Sequence, residues 1–345
     1  MVTLLFLLLW VVGVEGDLVF KTDVSYQLPE NVILQTPTSV DMDEQGTLHL
    51  LDSTARCVYV WDAAGRYLQT IGRQGQGPGE ITLADRVGTV VVNADHVVVV
   101  DNKIEKIHFW DRRGNYLKSI AKPTGLGRIF HAGAYAGGFV ISSSSSDKGN
   151  QRLLWVNEDF QTGQVLAEVK SNMYSRNANQ RWDYHPFAEE LVIGYGSDKI
   201  WWGNSYENSV HLVNLKGKVL RQLRLRFAVE DLSVEDKAMY LKSFEGWRKP
   251  NDTISFPDKA HFFNYIMPMD ENLLVIFKYP GEGTACTGQV LNRETGAVLA
   301  KFKQTLGYYV YSALDGKLIT VAEDADGDYQ VRTMKVAMGS LGTSR

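Results

Sequence analysis

Residues 48–80 read LHLLDSTARCVYVWDAAGRYLQTIGRQGQGPGE. The stretch holds two short apolar runs, a tight turn at Asp62-Ala-Ala-Gly65, a third apolar run and a glycine-rich loop. Much of it recurs 49 residues later, as Asp52/Asp101, Trp61/Trp110, Asp62/Asp111, Gly65/Gly114, Tyr67/Tyr116, Leu68/Leu117 and Ile71/Ile120. An offset held over so many positions marks a repeat architecture. The Asp and Gly have a physical role in it. An Asp or Asn side chain starts a turn by bonding its own backbone, and Gly supplies the positive φ that a hairpin needs.

The same rhythm continues at Val156-Asn157 with Gly163, Val213-Asn214 with Gly217, and Leu291-Asn292 with Gly296. A sixth unit, residues 308–336, has three apolar runs and lacks a fourth. Residues 18–28 alternate weakly and read as one strand without a local partner. Pairing them with residues 329–336 joins the chain ends and covers sheet edges that would otherwise invite aggregation. Six units of roughly 50 residues match four-stranded blades. The sequence therefore predicts an all-β, six-bladed β-propeller of four-stranded blades, its N-terminal strand completing the last blade, as one domain over residues 17–345. One insertion, residues 227–259, falls between blades four and five. In it Ser233-Val-Glu-Asp236 has capping-box character, and Ala238, Leu241 and Phe244 fall three apart, which predicts a helix over residues 234–247 that can lie over one mouth of the ring.

Composition narrows the function classes. The chain of 345 residues is 44% hydrophobic and 22% charged, ordinary for a globular protein. A formal net charge of −4 argues against general nucleic-acid binding, which needs a basic face. Residues 1–16, MVTLLFLLLWVVGVEG, contain an apolar run at 4–12 that is too short for a stable membrane span. Val14 and Gly16 suit signal-peptide cleavage before Asp17, although the segment lacks Lys or Arg. A monomer that is secreted, periplasmic or associated with the cell surface is expected. Cys57 and Cys286 fall in non-neighbouring repeats, so no disulfide is expected.

Asp52, Arg56, Val58, Val60, Asp62 and Gly65 fit the pattern of NHL-type propeller repeats, which this segment resembles. Residues 71–80, Ile-Gly-Arg-Gln-Gly-Gln-Gly-Pro-Gly-Glu, are more specifically similar to the bacterial secreted 6-bladed β-propeller family, many of whose members have no assigned function. The Trp-Asp pairs also resemble WD40 blades, but the companion Gly-His is missing upstream of both. The resemblance implies the fold and implies no activity and no cofactor.

Propeller connectivity sorts the loops onto two faces. Turns between first and second strands, and between third and fourth, share one face and are short here: 43–46, 62–65, 111–114, 214–217 and 314–317. Second-to-third turns and blade links share the other and are long: 72–83, 142–150, 170–186 and 227–259. Variable loops on a rigid scaffold are where binding usually lives. Their candidate ligand-binding residues are Arg73, Gln76, Glu80, Tyr174, Arg176, Arg181, Trp182, Tyr184, Trp247 and Arg248. Aromatic plates beside Arg and Gln suit sugars or extended peptides.

The glycine-rich loop is no phosphate loop, because it lacks the Gly-Lys-Ser/Thr ending and opens no helix. Asp324-Ala-Asp-Gly-Asp328 alternates acids as a calcium loop does, but Tyr329 and Lys335 stand where Gly and Glu are required, so it reads as a turn. His131, His185 and His261 fall near the starts of the innermost strands of blades three, four and five. Three convergent His could hold a divalent metal with an open position for hydrolytic or lyase chemistry. The leading expectation is a secreted binding propeller that presents its long-loop face to a glycan, peptide or protein. A metal-dependent hydrolase or lyase is the alternative.

Overall fold

The computed structural model of the protein describes residues 18–338, apart from residues 31, 84–87, 145–148, 162, 172–173, 177–181, 186–188, 197–198, 226–230, 245–251, 259–262, 264, 270–272, 279–284, 306–308, 315–316 and 324–327. Among the described residues, six four-stranded antiparallel sheets form the blades of a propeller. Blade one is Pro37–Met42, Leu48–Asp52, Cys57–Trp61 and Tyr67–Ile71; blade two is Gly88–Val92, His96–Asp101, Lys106–Asp111 and Tyr116–Ala121. Blade three is Arg128–Tyr135, Gly138–Ser144, Asn150–Asn157 and Gly163–Lys170; blade four is Leu191–Tyr195, Ile200–Asn204, Ser209–Val213 and Val219–Arg224. Blade five is Tyr265–Pro268, Leu273–Lys278, Ala285–Asn292 and Val298–Thr305. Blade six takes Tyr309–Leu314, Lys317–Glu323 and Tyr329–Met338, and its fourth strand is the N-terminal Leu18–Tyr26. Leu18 faces Met338 and Tyr26 faces Val331, so the two ends of the chain close the ring.

The core lies between blades. In His96–Asp101 (HVVVVD), Val97 and Val99 pack with Leu51, Val58 and Ile71 of blade one, while Val98 and Val100 pack with Phe139, Ile141 and Leu154 of blade three. A strand buried on both faces reads as a continuous apolar run, because the alternating side chains serve two cores. At the ring closure Trp61, fully buried, donates its indole N–H to Gln27 O at 2.8 Å and packs edge-on against Tyr26.

The repeated Asp and Gly residues act as the hairpin argument requires. Asp62 Oδ1 accepts the Ala64 and Arg66 amides, and Asp111 and Asn214 repeat the arrangement. Gly65 adopts φ +81°, and a Cβ there would sit 2.4 Å from Ser25 O on the strand of the preceding blade, so the site needs glycine twice over. Blade three departs from the expected pattern. Its left-handed residue is Phe160 at φ +57°, three residues after Asn157, and Gly163 instead opens the next strand. The cost of a non-glycine there is offset by burial of the Phe160 ring, stacked 4.9 Å from Phe139. Asp52 and Asp101 cap the second-to-third turns and also bind the incoming link, through the Gln35, Thr36 and Thr82 amides.

Innermost strands would leave unpaired backbone groups on the channel. Side chains from neighbouring blades meet several of them. Ser39 Oγ accepts from Val90 N, Thr89 Oγ1 donates to Phe130 O, and the Tyr195 hydroxyl donates to Ala132 O. Between blades four and five the chain forms helix α1, Val234–Phe244, with Val234 and Leu241 exposed on it. No described helix is long and apolar enough to cross a membrane.

Candidate ligand site at the channel mouth

The first-to-second-strand turns of blades one to four surround a cavity of about 320 Å³. Asp41, Asp43 and Glu44 line it from blade one, Asn93 from blade two, Tyr135 and Glu158 from blade three, and Tyr195 from blade four. Each is placed by a rigid hairpin. The site lies on the short-turn face, opposite the one that loop length singled out.

Asp41, the last residue but one of the innermost strand of blade one, is 3% exposed. Its Oδ1 accepts Met42 N at 2.9 Å, and its Oδ2 accepts Val92 N of blade two at 2.8 Å. Burial pushes the carboxyl up to about 7, against the lowering effect of those two amides and of Arg112. Arg112, from the outer turn of blade two, pairs with Asp43 and donates to Asn93 O at 3.4 Å, so it seals the seam between blades one and two. His49 faces Asp41 in register; burial pushes it down to about 4, which keeps the imidazole neutral at pH 7. With Asp43 paired, Glu44 and Glu158 are the exposed carboxylates of the lining.

The blade-three wall is tightly specified. Ala136 and Gly137, at φ +49° and +71°, form the two-residue turn between Tyr135 and Gly138, a type I′ geometry that places a non-glycine in the left-handed region. Gly133 lets the Tyr195 ring lie on the backbone, since a Cβ there would come within 2.2 Å of it.

The long-loop face is organised differently. Tyr174–Arg176 pairs with Trp182–Tyr184, which pairs in parallel with Thr253–Ile254 from the insertion. Asp183 fastens the junction, accepting Thr253 Oγ1 at 2.8 Å and Ser255 Oγ at 3.2 Å. The sheet thus brings together the backbones of Tyr174, Arg176, Trp182 and Tyr184. Arg73 and Glu80 form an ion pair at 3.0 Å, with Gln76 exposed on the loop between them. Arg181, Trp247 and Arg248 lie outside the described residues, as does most of the Asp324–Asp328 segment.

Of the three histidines, His131 sits on the innermost strand of blade three, exposed yet enclosed by protein that lowers its pKa. His185 follows the strand Trp182–Tyr184, with Nε2 3.4 Å from Asp183 Oδ2. His261 lies outside the described residues, and with it the geometry of the trio. Among the described residues no three His, Cys, Asp or Glu side chains are grouped as metal ligands. Glu190, just before the innermost strand of blade four, is a further enclosed acid, pushed up to about 7 by burial.

A closed ring of six four-stranded blades with a cavity at one channel mouth makes the protein a six-bladed β-propeller. Residues 27–173, its first three blades, match the family model described as 6-bladed beta-propeller, in agreement with the resemblance carried by residues 71–80. Two solved structures share the fold. One is a protein of Bacteroides fragilis NCTC 9343 named as exported, 11% identical, TM-score 0.56, covering 93% of this chain and 95% of that one. Another is a member of the DUF4221 family from Bacteroides vulgatus, 11% identical, TM-score 0.61, covering 94% and 100%. No curated protein matches the chain in sequence.

Sequence reasoning missed Asp41, Glu44, Asn93, Tyr135, Glu158 and Tyr195. They come from four blades, and only the ring brings them to one mouth. The one local signal is an acid between two apolar residues in the run Val40-Asp41-Met42, all three of which are buried.

Proposed function

We propose that the protein is an exported binding propeller that takes a saccharide at the short-turn mouth of its channel. The observation that carries this reading is the cavity of about 320 Å³, within the roughly 300–1,000 Å³ of ordinary small-molecule sites. Carboxylates of Glu44 and Glu158 and the Asn93 amide suit sugar hydroxyl donors, and the faces of Tyr135 and Tyr195 suit the apolar side of a pyranose ring. The apolar run at residues 4–12 and the likeness to a protein named as exported support the location. A panel of mono- and disaccharides screened by saturation-transfer NMR tests it. A binding sugar is expected to lose affinity about tenfold or more in a Glu44→Gln/Glu158→Gln variant, because each lost bond to a charged acceptor is worth about 1.5–3 kcal/mol. Unchanged affinity in that variant, with loss on Tyr184→Ala, would move the site to the long-loop face and sink this reading.

A further inference from the structure

The loop Arg73–Glu80 is wrapped around one of its own carboxylates. Glu80 Oε2 accepts Gly77 N at 2.8 Å and Glu80 Oε1 accepts Arg73 Nε at 3.0 Å, while the Gln76 amide also points to the carboxylate. The Gly77 amide, then Arg73, and least the Gln76 amide hold the Glu80 carboxyl below the usual carboxylate range. The glycines are spaced for the group inside. A Cβ on Gly75 would lie 2.0 Å from Glu80 Oε2 and one on Gly77 3.1 Å from it. The loop is pinned from outside that ring of donors by Gly75 N to Ile81 O at 3.2 Å and Thr82 Oγ1 to Gly75 O at 3.0 Å. Successive backbone N–H groups converging on one point form an anion-binding concavity. Here the concavity is built, occupied and topped by an Arg73 side chain that is 79% exposed.

We infer that residues 73–80 form a carboxylate-binding site that the chain's own Glu80 closes. The class of ligand follows from the group now bound, a single carboxylate held by two backbone amides and one guanidinium. The site is separate from the channel-mouth cavity and does not depend on the saccharide reading. A tethered carboxylate competes with any free one by its high effective concentration, so the site is shut until Glu80 is withdrawn.

Acetate is the probe, read through the Gly77 and Gln76 amide resonances of the whole protein. In Glu80→Ala, acetate is expected to shift both amides saturably and to slow the exchange of Gly77 N–H. In the wild-type protein binding is expected to be at least 100-fold weaker. No saturable shift in Glu80→Ala would overturn the inference, and so would equal acetate binding in wild type and variant. A second measurement guards against a collapsed loop. In Arg73→Gln the Glu80 carboxyl, followed by carbon NMR, is expected to titrate higher than in wild type; an unmoved titration would also contradict the site.

Discussion

The two mouths of the channel are built from opposite materials. At one, turns of two to four residues stop short and leave a cavity between Glu44, Glu158 and Tyr195. At the other, long segments fold on each other, as the sheet of Tyr174–Arg176, Trp182–Tyr184 and Thr253–Ile254 and the self-closed loop around Glu80 show. Among the described residues, the long segments spend donors and acceptors on one another, while a cavity opens between the short turns. Short hairpins hold their side chains at fixed positions around an opening they cannot fill.

The largest expected difference between the faces is in tolerance to substitution. Gly65→Ala on the short-turn face meets both φ +81° and a 2.4 Å contact with Ser25 O, in the seam that closes the ring. It is expected to cost about 2–5 kcal/mol, from left-handed strain and overpacking. Gly125→Ala, in the link between blades two and three, has φ +93° but nothing within 4 Å. It is expected to cost about 1–2 kcal/mol. Denaturant unfolding of both variants checks the order; equal costs would break the contrast.

A smaller effect concerns pH. The folded carboxyl of Asp41 is raised to about 7 from 3.8, so its contribution to stability is fully present below pH 3.8 and is lost as pH rises through 7. Asp41→Asn is expected to remove that component of the slope when melting temperature is followed between pH 4 and 8. An identical slope would show that Asp41 is ionised throughout. The smallest effect is at the cavity rim. Ala136→Asn is expected to stabilise by up to ~1 kcal/mol, since Asn tolerates the left-handed position that Ala136 occupies at φ +49°.

Fold and site were not equally legible. The 49-residue offset, the Asp-x-x-Gly turns and the unpaired strand near residue 18 lead to six blades and to closure by the chain ends, because each is a local signal repeated under one geometric rule. Phe160 broke the rule because its ring, buried against Phe139, outweighs its backbone preference, and packing of that kind has no signature in the turn itself. The cavity was illegible for a different reason. Its residues come from four blades, and Glu44 or Tyr195 alone looks like any turn residue. Arg73 and Glu80, candidate ligand contacts by sequence, pair with each other, since a loop of alternating glycines can fold back on its own acid.

The central claim, that the short-turn mouth takes the ligand, is tested most directly by amide chemical-shift mapping with a saccharide that binds. Shifts confined to residues 41–45, 92–94, 134–138 and 195–196 are the predicted result. Shifts confined to residues 73–80 and 174–184 would contradict it.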